Sequence, residues 1–214
     1  APTGPNVSRS VPWTIPRNRS SSPGPIRRKE SGTSRSRISG SCVATSLIRF
    51  WAVGACVTVT ITAPSATIRV LDFQFAFHIL QDLHIQKTGH SLFSARMNPT
   101  LAVDGGGKLV DSDGNVNEEG TRGKTASWCA YYGKHHGKTE GLAIMQHPAN
   151  PLFPAPWFNR NYGFFSPTPV WLEDRELKAD DRFTMRYRVV VFAGDPKAVG
   201  IADLYAEFEK TDKR

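Results

Sequence analysis

The run FTMRYRVVVF, residues 183–192, places Phe183, Met185, Tyr187, Val189 and Val191 at every second position, the spacing of a β-strand with one face turned inward. Aromatic and β-branched residues fill it, and both suit a pleated backbone. A second run, Ile68–Ile79, repeats the pattern: Phe73, Phe75, Phe77 and Ile79 alternate with Asp72, Gln74, Ala76 and His78. Shorter apolar runs at Leu92–Met97, Ser127–Tyr132 and Gly141–His147 read as further strands, the last two joined by the glycine-rich turn GKHHGK. Asp104-Gly105 and Asp113-Gly114 bracket the pair Leu109-Val110, as in a hairpin or a decorated loop. Near the end, Ile201, Leu204, Tyr205 and Phe208 recur at helical spacing behind Asp195, which predicts a capped amphipathic helix to about Lys210. The pattern predicts a mostly β domain, antiparallel and sandwich-like, with one C-terminal α-helix.

Upstream of residue 68 the character changes. Residues 1–40 are dominated by Ser, Arg, Pro and Gly and hold too little apolar surface to offset the entropy of ordering. Two readings stand: a disordered basic tail, or an out-of-frame translation of a GC-rich gene. The segment Phe50–Ala63, FWAVGACVTVTITA, is too short for a membrane span, which needs about 20 apolar residues. It also lies too far from the N-terminus for a signal peptide. A boundary is therefore placed at residue 68, with 1–67 as a leader and 68–214 as the domain.

Charge follows the same division. Residues 1–70 carry ten basic side chains and one acid, Glu30, so the whole excess of +8 lies there and the remainder is close to neutral. The domain has no basic face of its own, and nucleic acid is not an expected partner. Cys42, Cys56 and Cys129 form no CxxC pair or metal-finger spacing, which excludes a disulfide framework and leaves Cys129 as a small buried hydrophobe. No metal is expected. His135-His136 lies between two lysines, and the alternating Asp111, Asp113, Asn115 and Asn117 put Gly114 at the wrong place for a calcium-binding EF-hand. There is no nucleophile elbow, phosphate loop or dinucleotide fingerprint, so no cofactor is predicted.

The segment Gly123–Gly163, GKTASWCAYYGKHHGKTEGLAIMQHPANPLFPAPWFNRNYG, resembles a bacterial family named methane oxygenase PmoA, also known as a domain of unknown function. The resemblance is carried by Trp128, Tyr132-Gly133, the run Gly137–Ile144, His147-Pro148, Asn150-Pro151, Trp157, Arg160 and Tyr162-Gly163. It extends over residues 68–210 through His90–Phe93, Asp104–Gly107 and Leu177–Asp195. Ala130 stands where the family usually has Asp, and Phe158 where it often has His. The resemblance implies a soluble β-sandwich akin to mutarotase-like, sugar-handling folds, and a further N-terminal half before residue 68. The family's name implies a metal-dependent oxygenase.

Candidate site residues follow from both sources. His147 ends an apolar strand and opens a segment with six prolines between residues 147 and 169. With Arg160 it forms a candidate catalytic pair, an imidazole to shuttle protons and a guanidinium to fork an anion. Asn150, Asn159, Trp157, Tyr162 and Trp128 are candidate ligand-binding residues for a carbohydrate or other polyol, the rings serving as a stacking platform. His147, Trp157 and Arg160 are expected around one concavity, with Glu173 as an alternative partner for Arg160. A structural account stands beside this: His147 and Asn150 hydrogen-bond the backbone of a proline-stiffened turn, and the rings fill the core. On that account the domain is a non-catalytic structural or interaction module.

Overall fold

The computed structural model of the chain describes residues 42–49, 51–90 and 93–211. The reading of residues 1–40 as a disordered or out-of-frame leader lies outside the described residues. The strands are β1 (Cys42–Arg49), β2 (Val53–Thr62), β3 (Ile68–Ile79), β4 (Leu83–Ile85), β5 (Ala95–Arg96) and β6 (Lys108–Asp111). A one-turn helix α1 (Asn117–Thr121) precedes β7 (Trp128–His135), β8 (Lys138–Gln146), β9 (Trp157–Arg160) and β10 (Phe164–Pro167). Then come β11 (Arg175–Leu177), β12 (Arg182–Ala193) and helix α2 (Ile201–Phe208).

Seven strands form one antiparallel sheet in the order β1-β2-β3-β12-β8-β7-β6. A three-stranded sheet, β5-β10-β9, packs on one face of it, and β4 pairs with β11 in a two-stranded ribbon. The mostly β, sandwich-like architecture is as the alternation predicts. The boundary at residue 68 moves, because β1 and β2 add to the edge of β3 with Val57 opposite Phe75 and Val59 opposite Phe73. The segment that resembled a short apolar span is a strand. Its valines alternate with threonines, and threonine is β-branched and strand-forming.

β12 lies at the centre of the sheet, paired to β3 on one side and β8 on the other. Its alternation predicts one buried face, and the structure buries both. Val189 joins Leu109, Cys129, Tyr131 and Ile144 against Trp157 and Phe165 of the small sheet. On the opposite face Val190 and Phe192 join Val70, Ala130, Ala143 and Met145 under Ile201 and Phe208 of α2. Arg188, on that second face, explains how a charged position is covered. Its guanidinium donates to both oxygens of Asp72 on β3 (2.7 and 2.9 Å) and to the carbonyl of Leu204 in α2 (3.1 Å). It also lies 4.8 Å from the centre of the Phe208 ring. Paired and hydrogen-bonded in this way, the charge ties the helix to the sheet.

Two glycines have specific work. In the β7–β8 turn, His136 and Gly137 have φ of 48° and 76°, the left-handed pair of a two-residue hairpin. A Cβ at Gly141 would meet the Phe192 ring at 2.4 Å and the Tyr131 carbonyl at 2.5 Å, so the strand crosses there without a side chain. The C-terminal helix starts later than predicted. Asp195 accepts from the Lys197 and Val199 amides in a preceding turn, and Gly200, with φ of 73°, separates that turn from α2. Asp111, read as one oxygen of a calcium-like series, is buried instead. It accepts from the amides of Asp113 and Asn115 and from the Asn115 side chain, holding its own loop.

Candidate functional site

The proline-rich segment is built as a folding device around the end of β8. Gln146 turns toward the small sheet, where its amide donates to the carbonyls of Ala126 and Ala155 and its oxygen accepts from Ala155 N–H. His147, one residue on, points to the other face. Its backbone N–H donates to the Arg186 carbonyl (3.2 Å) and its Nδ1 accepts from Ala149 N–H (3.0 Å). The Nδ1 lone pair is thus directed at the backbone, which sets the tautomer with the proton on Nε2. The fully buried ring meets Phe208 of α2 edge to face, with centres 5.0 Å apart. Asn150 completes the turn: its Oδ1 accepts from Arg186 N–H (2.6 Å) and its Nδ2 donates to the Arg186 carbonyl (2.8 Å).

These contacts separate the residues that the sequence brought together. Trp157 packs with Ile144, and His147 falls on the face opposite Ile144, so the large sheet lies between them. Trp157 has no exposed surface, and its indole N–H donates to the Ala126 carbonyl (2.8 Å). Trp128 sits half-buried among the α2-facing residues, so the two indoles form no common platform. Asn159 is fully buried beside Trp157, donating to Thr121 Oγ1 and Cys129 Sγ. Arg160 lies on the outer side of the small sheet, its Nε 3.0 Å from Glu118 Oε1. Glu173 pairs with Arg175 instead. Tyr162, 39% exposed, lies beside Arg160, with the guanidiniums of Arg96 and Arg160 at 4.6 and 5.3 Å from its ring centre. Among the described residues, His147, Trp157 and Arg160 are thus not gathered around one concavity. The two family departures are packing positions here: Ala130 is buried under α2, and Phe158 packs against His90, Phe164 and Trp171.

A cavity the sequence reading missed opens elsewhere. It measures about 460 Å³ and lies on the Trp157 side of the large sheet, beyond the end of the small sheet. Val57, Phe75, Phe77, Phe183, Met185 and Tyr187 form its floor, and Leu83, Ile85 and Leu177 of the ribbon form a wall. Phe93 stands at the remaining side, stacked on Tyr187 with ring centres 4.5 Å apart and planes 3° from parallel. The signal for it was present. Phe73, Phe75 and Phe77 share a face with Met185 and Tyr187 across the β3–β12 pair, more apolar bulk than the short β5-β10-β9 sheet covers.

The ribbon wall carries an ionic latch. His84 on β4 faces Glu176 on β11, with Nδ1 on Glu176 Oε1 (2.5 Å) and Nε2 near Asp174 Oδ2 (3.2 Å). The Glu176 hydrogen bond, with the charges of Glu176 and Asp174, raises the imidazole above its ordinary 6.5. A raised folded-state value means that protonation tightens the ribbon. The contribution is complete below about pH 6.5 and is lost as pH rises through the raised value. Amide hydrogen exchange at Ile85 and Leu177, corrected for intrinsic rates, is expected to show more protection at pH 5.5 than at pH 8.5. His84→Gln is expected to remove the difference, and a pH difference that survives it would assign the effect to another group.

Among the described residues no group of three or more His, Cys, Asp and Glu side chains is placed to hold a metal ion. No helix among them is long and apolar enough to cross a membrane. No curated protein and no solved structure matches the chain. A family model does, over residues 56–206, a span that opens in β2 and closes in α2 and so includes the central sheet, the cavity floor and the proline-rich turn. The chain belongs to that family, the family of unknown function DUF6807.

Proposed function

We propose that this chain is a binding domain whose site is the cavity between the β2-β3-β12 floor and the β4-β11 ribbon, and that its ligand is a small, largely apolar molecule. The observation that carries this reading is the cavity itself. Its volume of about 460 Å³ falls within the range of ligand sites, roughly 300–1,000 Å³, and aromatic and aliphatic side chains line it. Among the described residues its lining contains no Asp, Glu, His, Lys, Arg, Cys or Ser, so these residues offer binding surface and no nucleophile or acid–base pair. In this reading the segment around His147 is structural, holding β8 to β12 behind the cavity floor.

A carbohydrate or polyol is a second reading, and one observation favours it: Tyr162 is partly exposed and lies beside Arg160 on the outer face of the small sheet. Two guanidiniums already lie over that ring, so a sugar there would bind through hydrogen bonds to them rather than by stacking.

Titration of the chain with Nile red, a neutral apolar dye, separates the two. Saturable one-to-one binding is expected, with an affinity that falls at least about tenfold in Ala55→Trp, which fills the cavity from its floor. Dye binding that is absent, or unchanged in Ala55→Trp, would remove the cavity reading. Calorimetric binding of a monosaccharide that disappears in Tyr162→Ala would establish the second.

A further inference from the structure

Among the described residues, the cavity lining holds one polar side-chain group, and its surroundings define what it lacks. Tyr187 is 2% exposed, and its hydroxyl has a single hydrogen-bond partner among the described residues, the thioether sulfur of Met185 at 4.0 Å. A thioether is a weak acceptor, and a buried hydroxyl ordinarily finds a better one. The comparison within this core is direct. Tyr131, equally buried, donates to the Arg160 carbonyl at 2.6 Å, and Trp157 donates to the Ala126 carbonyl at 2.8 Å. Tyr187 differs from both in lining the cavity. Its contact with Met185, two residues back on the same face of β12, directs the hydroxyl toward another residue of the cavity lining.

Resting on the proposed function, we infer that the ligand is neutral and carries a hydrogen-bond acceptor, a carbonyl or ether oxygen, that receives the Tyr187 hydroxyl proton. Neutrality follows from the lining. No Lys, Arg or His is among the cavity's described lining residues, so a carboxylate or phosphate placed against them would be desolvated without a counter-charge. Burial pushes the phenol well above its ordinary value, so the group remains an O–H donor throughout the physiological range. Phe93, stacked on the Tyr187 ring, and Phe75, edge-on to it, set apolar surfaces beside that ring in the cavity lining. They suit a flat or aliphatic body with its oxygen near one end.

Prodan, a neutral naphthalene ketone, and its carbonyl-free parent 2-dimethylaminonaphthalene test this on the full chain and on Tyr187→Phe. The wild-type chain is expected to bind both, and Tyr187→Phe to weaken Prodan about fivefold while changing the parent less than about twofold. A circular dichroism melt confirms that the variant is folded. Both probes bound alike by wild type and variant would overturn the assigned acceptor and leave the cavity reading standing. Absence of saturable binding of either probe to the wild type would overturn that reading and the inference together. Dodecanoate and dodecanol supply the charge test: equal or tighter binding of dodecanol supports a neutral ligand. Dodecanoate binding about tenfold tighter, lost in Arg175→Gln at the far side of Phe183 and Met185, would overturn it.

Discussion

Trp157→Ala is expected to lower the unfolding free energy by about 3–5 kcal/mol, the range for deleting a large buried ring. Its indole has no exposed surface and packs with Ile144, Tyr131 and Phe165 between the two sheets. Trp157 projects from the small sheet itself, and its strands β9 and β10 are four residues each, too short to close over the void by bending. The indole N–H also leaves behind the Ala126 carbonyl, which keeps the Gln146 amide as a second donor, so the hydrogen-bond share of the loss is small and the cavity share dominates. Urea denaturation of wild type, Trp157→Phe and Trp157→Ala measures it, with the phenylalanine variant expected between the other two. Nile red binding to folded Trp157→Ala is expected to stay within about twofold of wild type, since the ring is not among the cavity's lining residues. A loss below about 1 kcal/mol accompanied by lost ligand binding would restore Trp157 as a recognition residue.

That contrast shows which parts of the molecule were legible in sequence. β3 and β12 were, because alternation at period two survives whatever partner a strand finds. The order of strands was not. β12 sits between β3 and β8, more than a hundred and about forty residues away in sequence, and local pattern holds no record of such pairings. Arg186 and Arg188 made one face of β12 read as solvent-facing. The structure covers it because Arg188 brings Asp72 and a helix carbonyl with it. β2 was misplaced for a compositional reason: its Val–Thr alternation follows a basic, proline-rich leader and scores as weakly apolar rather than as strand. Alternation along β8 sets His147 on the face opposite Ile144, against Phe208 of α2. What failed was the assumption that proline-stiffened chain returns Trp157 and Arg160 to that same face. The segment instead rounds the end of the sheet, pulled by Gln146 holding Ala155 on the opposite side. The cavity was legible only in part, since an excess of phenylalanine on one face signals burial without saying whether protein or ligand supplies it.

Asn150→Ala is expected to destabilise the chain by about 2–4 kcal/mol, by taking the side-chain acceptor from the buried Arg186 N–H and one of two donors from the Arg186 carbonyl. Asn150 reads in sequence as a ligand-binding amide beside a histidine. In the structure its side chain imitates a neighbouring strand: one oxygen takes the Arg186 N–H and one nitrogen satisfies the Arg186 carbonyl. β8 ends at Gln146, so Arg186 has no residue of that strand opposite it, and the Asn150 amide extends the pairing by one position. The Arg186 carbonyl retains His147 N–H after the substitution, whereas the Arg186 N–H loses its acceptor. Its amide exchange should therefore rise before that of Val189 or Val190. Asn150→Asp discriminates further. A carboxylate preserves the acceptor for Arg186 N–H but removes the donor and sets negative charge against the Arg186 carbonyl, so it should recover little of the lost stability at pH 7. A ligand-binding role predicts the reverse, unchanged unfolding in Asn150→Ala with weakened binding. That result would reinstate the His147 loop as the site. The structure assigns the loop to the backbone because His147 Nδ1 and both polar atoms of the Asn150 side chain bond the main chain.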